Sequence, residues 1–339
     1  MNKYQILIWI FIAEAVLSFF LITMVALHRL FYFFVHRISN QRKKRLSGYF
    51  FKCIEENRAF DAKSYPGRRR WTKELLEVLE SFNDRFHGNE WEAIKRPVAE
   101  EYLLPTARKW ARSIFWKKRN QAARSFVLCP TIEDEKNILR LMDDRTFLVH
   151  HKATIAAIEL ESQAGIRKAL VAIRCKAGSS RVFYRDALIG ASHAAAEKMI
   201  AAGNEPALRL ACLDVLSGKS WALPIPFLKT DLRSKNTALR RLAIRTLVRN
   251  PVADCIEILI DALKDQDEEV RCDAAKGLQI YSPLANLDCL IEALHDPSWF
   301  VRIEAARALK LAGATGKALL KKQTDSQAVE AVRYIEVFG

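Results

Sequence analysis

The chain has 339 residues, half of them hydrophobic, and a formal net charge of +15. A mean hydropathy close to zero excludes a protein built mostly of membrane spans, and the length allows one elongated domain or two compact ones. Twelve glycines and ten prolines are too few for a strand-and-turn architecture, so an all-helical body is expected; the positive excess favours anionic partners without choosing among nucleic acid, phospholipid headgroups and acidic protein.

Residues 6–27 read "ILIWIFIAEAVLSFFLITMVAL". As a helix this stretch reaches about 33 Å, slightly more than a hydrocarbon core of about 30 Å. The apolar run is long for a secretory signal, and no A-x-A cleavage site follows. A retained transmembrane anchor over 1–46 is expected, with Phe31, Tyr32, Phe33 and Phe34 near the interface. Lys3 alone precedes the span, whereas Arg29, Arg37, Arg42, Lys43, Lys44 and Arg45 follow it. The positive-inside rule then places the C-terminal body in the cytoplasm, with Arg42, Lys43, Lys44 and Arg45 against anionic headgroups. Glu14 lies within the span, where an acid costs about 2.5–3.5 kcal/mol. It either bonds to its own helix, through Ser18 one turn on, or pairs with another transmembrane helix; the second reading is preferred because intramembrane acids usually face a protein interior.

Residues 47–112 are read as a helical neck. The apolar spacing of "WTKELLEVLESF" predicts an amphipathic helix, and "SYPGRRR", "FHGNE" and "LLPTA" predict breaks. His87 and Glu90 are taken as polar loop residues rather than metal ligands. Trp71, Trp91, Trp110 and Trp116 are taken as packing residues at helix crossings.

From about residue 113 the chain repeats itself. "DQDEEVRCDAAKGL" from Asp265 and "DPSWFVRIEAARAL" from Asp296 share an Asp five residues before a Val-Arg pair, then two alanines and a leucine, at an offset of 31 residues. Stepping back by 31 gives Leu239-Arg240 and Leu208-Arg209; Asp144, Val149 and His150 belong to the same series, as does Lys118-Arg119. One unit near "VFYRDALIGA" is irregular, and Asp231 stands eight residues before Leu239 rather than five. An apolar helix precedes each second helix, so the unit is helix, turn, helix. Such a pair cannot bury its two apolar faces alone, and stacking does it. The alanines permit close approach, and the Asp caps or braces the turn.

This pattern resembles HEAT repeats, in particular the short, roughly 30-residue class first associated with phycobilisome lyases, over residues 113–339. The resemblance implies an all-α fold, an α-solenoid of helix pairs. It implies a ladder between turns built from Asp144, Asp265 and Asp296 and from Arg209, Arg240, Arg271 and Arg302, with His150 standing where an Arg would be.

No catalytic motif is found: there is no His-Glu dipeptide, H-E-x-x-H, Walker loop or G-x-S-x-G. His150-His151, at the ladder position, is read as structural. No cofactor or metal is expected. The seven cysteines, Cys53, Cys129, Cys175, Cys212, Cys255, Cys272 and Cys289, are scattered without a C-x-x-C and read as free buried thiols in a reducing compartment. Arg245, Lys276 and Arg307 recur six residues after the first member of each pair, and are read either as a solvated helix face or as a grip on an acidic protein.

The expected protein is a membrane-anchored scaffold or adaptor, not an enzyme, that binds and positions a membrane-associated protein partner at the inner face of a bacterial inner membrane. A polysaccharide glycosyltransferase would be one such partner. Two other readings stay open. A lyase-type enzyme would show a pocket of convergent polar groups, and a nucleic-acid binder would show steep salt dependence, although the anchor disfavours access to nucleic acid.

Overall fold

A computed structural model describes residues 3–221, 226–250, 254–281 and 287–338, and among them every regular element is helical. Contacts divide the chain into two units, Met1–Ala156 and Ala157–Gly339.

The first unit begins with α1 (Lys3–Glu55), a single helix. No glycine or proline interrupts residues 3–47, so nothing breaks it, and 53 residues extend about 80 Å at 1.5 Å each. It stops at Asn57, whose φ of 47° lies in the left-handed region, and the amide of Arg58 donates to the Cys53 carbonyl at 2.8 Å. That is the Schellman arrangement, with Asn in the place usually held by Gly. The end of α1 is buried against α2 (Thr72–Asn83) and α3 (Asn89–Val98) through Leu46, Phe50 and Cys53. Phe50 lies 5.7 Å from the Phe82 ring and 5.9 Å from that of Trp91. The helix of "WTKELLEVLESF" thus buries Leu75, Leu76, Val78, Leu79 and Phe82, the residues its spacing singled out.

The "LLPTA" segment does not break the chain's helical course. After α3 a π-helical turn spans Ala99–Leu103 and leads into α4 (Leu104–Trp110), with Pro105 in its first turn. Pro there forfeits an amide that has no intrahelical partner anyway, and the π turn absorbs the misfit upstream. The pair of α4 with α5 (Trp116–Leu128) follows, then α6 (Glu135–Leu141), which packs on α5, and α7 (Phe147–Glu159).

The second unit continues with α8 (Gln163–Cys175), α9 (Gly178–Ile189), α10 (His193–Gly203), α11 (Arg209–Leu216), α12 (Pro226–Leu232) and α13 (Thr237–Arg249). It ends with α14 (Cys255–Ala262), α15 (Glu268–Tyr281), α16 (Leu287–Ala293), α17 (Trp299–Leu311), α18 (Gly313–Lys321) and α19 (Ser326–Phe338). The second helices stack in order, α11 on α13 on α15 on α17 on α19, while α12, α14 and α16 each lie against the second helix that follows. The fold is an α-solenoid of helix pairs preceded by one long apolar helix.

Small residues sit where the second helices meet. Ala243, Ala274, Ala275, Ala305 and Ala306 are fully buried in one core with Leu247, Leu278 and Leu309. Gly277 is tighter still: a Cβ there would lie 2.6 Å from Val248 Cγ2. A mid-helix Gly costs about 1 kcal/mol against Ala, and this approach is what it permits. Of the four tryptophans expected at crossings, Trp91 is buried, Trp71 and Trp110 are half-buried, and Trp116 is exposed. Cys53, Cys129, Cys212 and Cys255 are buried free thiols, Cys272 and Cys289 are half-buried, and Cys175 is exposed, at the C-terminus of α8 where the apolar face has ended.

Candidate interaction surfaces

Among the described residues α1 is the one helix long and apolar enough to cross a membrane, and its apolar window beyond residue 13 is unburied within the chain. Glu14 and Ser18 lie one turn apart on it, both exposed. Phe31, Tyr32, Phe33 and Phe34 follow, also exposed. An exposed apolar stretch of this length marks a surface for an apolar environment or partner outside the chain.

The basic run after it is divided in two. Arg42 Nη1 lies 3.1 Å from Glu74 Oε1, with its guanidinium 5.4 Å from the Trp71 ring, and Lys43 pairs with Glu77. Both acids sit on α2, one turn apart. Lys44 and Arg45 point to solvent. Two of the four cations therefore tie α1 to its own unit, and two are exposed.

The repeat turns carry a regular set of ion pairs. Arg240 donates from Nε and Nη2 to the two carboxylate oxygens of Asp265, both at 2.8 Å, and Arg271 does the same to Asp296 at 2.7 and 3.0 Å. Each Arg also reaches back into its own turn: Arg271 Nη1 donates to the Asp265 carbonyl at 2.8 Å, and Arg302 Nη1 to that of Asp296 at 2.8 Å. Each Asp in turn accepts the amide two residues on, Asp267 for Asp265 and Ser298 for Asp296. One Arg thus ties two successive turns, and one Asp shapes the turn it starts. Burial works to raise the Asp265 carboxyl, yet the Arg240 hydrogen bond and the Asp267 amide outweigh it and hold the group below the usual carboxylate range. The same hydrogen bond holds Arg240 protonated above the ordinary guanidinium value, and Asp296 does so for Arg271.

Asp144 belongs to this set through Arg119, whose Nε lies 2.5 Å from it. Burial opposes, but the Arg119 bond and the Thr146 amide lower its carboxyl as well. His150 Nδ1 sits 3.2 Å from the Asp144 carbonyl, so His150 keeps the contact that an Arg at that position makes with its own turn. Asp231 is buried and pairs with Arg209, which also lies 3.8 Å over the Phe227 ring. The ladder ends at Arg302. It is 7 % exposed, lies 5.4 Å from the Trp299 ring, and its Nε has no acceptor among the described residues. The position 25 residues on is Gln327, not an acid.

The basic column lies on the second helices. Arg245 Nε is 3.0 Å from Asp273, which also binds Arg241, and Arg307 Nη1 is 2.8 Å from Glu304. Lys276 is exposed between them. Asp214, which interrupts the column, accepts from Arg181 and Arg185. His87 and Glu90 are exposed, the first in the α2–α3 loop and the second in the first turn of α3, and both border a shallow cavity beside Cys53 and Trp91.

Residues 225–310 match the family model described as HEAT repeats, a fold of protein-interaction scaffolds. Among curated proteins none matches the sequence. Among solved structures the chain is similar to YibA of Escherichia coli, at 15% identity and a TM-score of 0.33 over 89% of this chain and 96% of that one. An engineered protein gives 17% identity and a TM-score of 0.33 over 88% and 98%. A likeness at that score adds nothing to the match of the repeats.

Proposed function

We propose that this HEAT-like repeat protein is a bitopic, membrane-anchored scaffold that faces the cytoplasm and holds a membrane-associated protein partner. The observation that carries it is α1: one uninterrupted helix whose apolar stretch from Glu14 is unburied, and whose last turns are locked into a folded unit by Leu46, Phe50 and Cys53. A helix of that kind is an anchor joined rigidly to its cargo, with no linker between. The cations that follow residue 27 set the orientation. Lys44 and Arg45 meet the anionic surface, and Glu14 with Ser18 meets a second transmembrane helix. A polysaccharide-synthesising glycosyltransferase of the bacterial inner membrane fits the partner's requirements: helices in the bilayer and a catalytic domain in the cytoplasm for the repeats to hold. The Asp–Arg pairs at Arg240–Asp265 and Arg271–Asp296 are spent on joining turns, which suits a scaffold more than a catalyst.

The test is membrane extraction with topology mapping. The chain should stay in the pellet through carbonate and high-salt washes, and a C-terminal alkaline phosphatase fusion should be inactive. An active fusion overturns the orientation, and a mature N-terminus beyond residue 20 overturns the anchor.

A further inference from the structure

We infer that the exposed face of α13, α15, α17 and α19 is a docking strip for an acidic amphipathic helix of a partner protein. This rests on the scaffold reading above and names the partner's chemistry. Lys276 and Ile280, Arg307 and Leu311, and Arg333 and Val337 are each a cation followed four residues later by an aliphatic side chain. Residues four apart lie on one face of a helix. Ile280, Leu311 and Val337 are 61%, 59% and 71% exposed, on helices that pack side by side.

The register is kept by the core beneath. Lys276 and Arg307 are 31 positions apart, as are Ile280 and Leu311. The last helix is reached after a shorter interval, yet it buries Ala331, Val332 and Ile335 where α17 buries Ala305, Ala306 and Leu309. That alignment sets Arg333 beside Arg307 and Val337 beside Leu311. On α13 the corresponding pair is Arg245 and Arg249, so the aliphatic row ends on a cation. Phe300, two-thirds exposed, stands at the other end of α17 on the same face.

The carboxylates on this face are largely engaged. Asp273 is taken by Arg241 and Arg245, and Glu304 by Arg307 and Gln279. Glu330 is exposed one turn before Arg333. Among the described residues no carboxylate lies within ion-pair distance of Lys276 or Arg249, so the unspent charge of the strip is positive. Its complement is acidic.

The spacing selects a helix. Packed helices stand about 8–10 Å apart, and seven residues of α-helix rise about 10.5 Å. A ligand helix laid across α15, α17 and α19 therefore meets the aliphatic row with a residue at every seventh position. In an extended strand, side chains on one face recur at about 6.6 Å, which misses the row. Glutamates or aspartates beside the outer apolar anchors then face Lys276 and Arg333.

The probe is a synthetic, fluorophore-labelled helix of about 18 residues with leucine at every seventh position flanked by glutamates. It is titrated against the full chain in mild detergent. Controls are the same residues scrambled, and the patterned helix with lysine for glutamate. The patterned acidic helix should bind in a salt-dependent way, and both controls should bind at least about tenfold more weakly. Ile280→Ser with Leu311→Ser should lower its affinity about tenfold or more, and Lys276→Glu with Arg333→Glu should lower it and flatten the salt dependence. All four positions are exposed, and unchanged circular dichroism verifies the fold. Equal binding of a control, no binding, or variants that bind as wild type overturn the strip. Extraction of the wild-type chain by carbonate would instead sink the anchored scaffold while leaving the peptide result as it stands.

Discussion

Arg240 and Asp265 meet fork to fork across successive repeat turns, two nitrogens on two oxygens at 2.8 Å, with each side chain mostly removed from water. They stand 25 residues apart, the interval that also separates Arg271 from Asp296 and Arg119 from Asp144. A bidentate pair fixes both distance and angle, so the pair sets the same step at each of these three joints.

The pairing makes stability depend on pH. The folded Asp265 and Asp144 carboxyls are held below the ordinary range. Their contribution is fully present above the unfolded carboxylate pKa of about 4 and is lost as pH falls through the lower folded values. Denaturant unfolding followed by circular dichroism should therefore show stability declining below about pH 4. Asp265→Asn should flatten that decline. Arg240→Leu, which strands the Asp265 charge, should cost about 3–5 kcal/mol at neutral pH. A variant as stable as wild type at pH 7 would mean that the joint relaxes enough to rehydrate Asp265.

Ala275 and Ala306 have no exposed surface and lie on neighbouring second helices. Ala275→Leu or Ala306→Leu should destabilise the chain by about 1–3 kcal/mol through overpacking. Gly277→Ala tests the same contact with one methyl group, since its Cβ would meet Val248. Thermal melts of the three variants give the comparison. Neutral behaviour of both leucine variants would place these alanines at a looser contact than the one described.

The repeats were legible because stacking imposes the same demands on each unit: small residues at the crossing, an Asp to open the turn, an Arg to reach the next one. The apolar part of α1, residues 6–27, was legible as a helix, whereas its unbroken continuation to Glu55, past the expected start of the neck at 47, was not read. What the sequence hid were contacts set by spacing that the strict repeat does not share. Asp231 looked displaced by its distance from Leu239, yet it lies 22 residues after Arg209 and closes the same pair. Arg119 could have been found by counting 25 back from Asp144. The partners of Arg42 and Lys43 were out of reach, because Glu74 and Glu77 lie beyond a loop held by the packing of Tyr65 on Phe50 and by hydrogen bonds between Tyr49 and Asp61. Trp116 and Cys175 show the converse error: residue type argued for burial, and position at a helix end left both exposed.

The junction between α1 and its unit should depend on packing more than on charge. Phe50 is fully buried, so Phe50→Ala should cost about 3–5 kcal/mol. Arg42→Ala and Lys43→Ala break partly exposed pairs and should cost at most about 1 kcal/mol each. Limited proteolysis of the 56–71 segment in detergent would read the difference, with cleavage accelerated by Phe50→Ala alone. If the charge variants open the segment as readily, the ion pairs rather than the aromatic core hold α1 in place.

Glu14 is the remaining acid with a cost to explain. In a bilayer it forfeits about 2.5–3.5 kcal/mol, and the apolar residues around it on α1 can carry that sum. If its carboxyl bonds to a partner helix, Glu14→Leu should leave insertion intact or improved, because the desolvation cost disappears. The same change should weaken association by roughly 0.6–2 kcal/mol, the scale of interhelical hydrogen bonds in membranes. Glu14→Gln keeps a donor and an acceptor and should fall between. Ser18→Ala provides the internal comparison: it removes the hydroxyl one turn away while leaving the carboxyl free to bond across. Recovery of the membrane partner, or of a second copy, with each variant in mild detergent is the measurement. Equal recovery with all of them would confine Glu14 to its own helix. Association would then come from the repeats, and a chain with residues 6–27 removed should retain it.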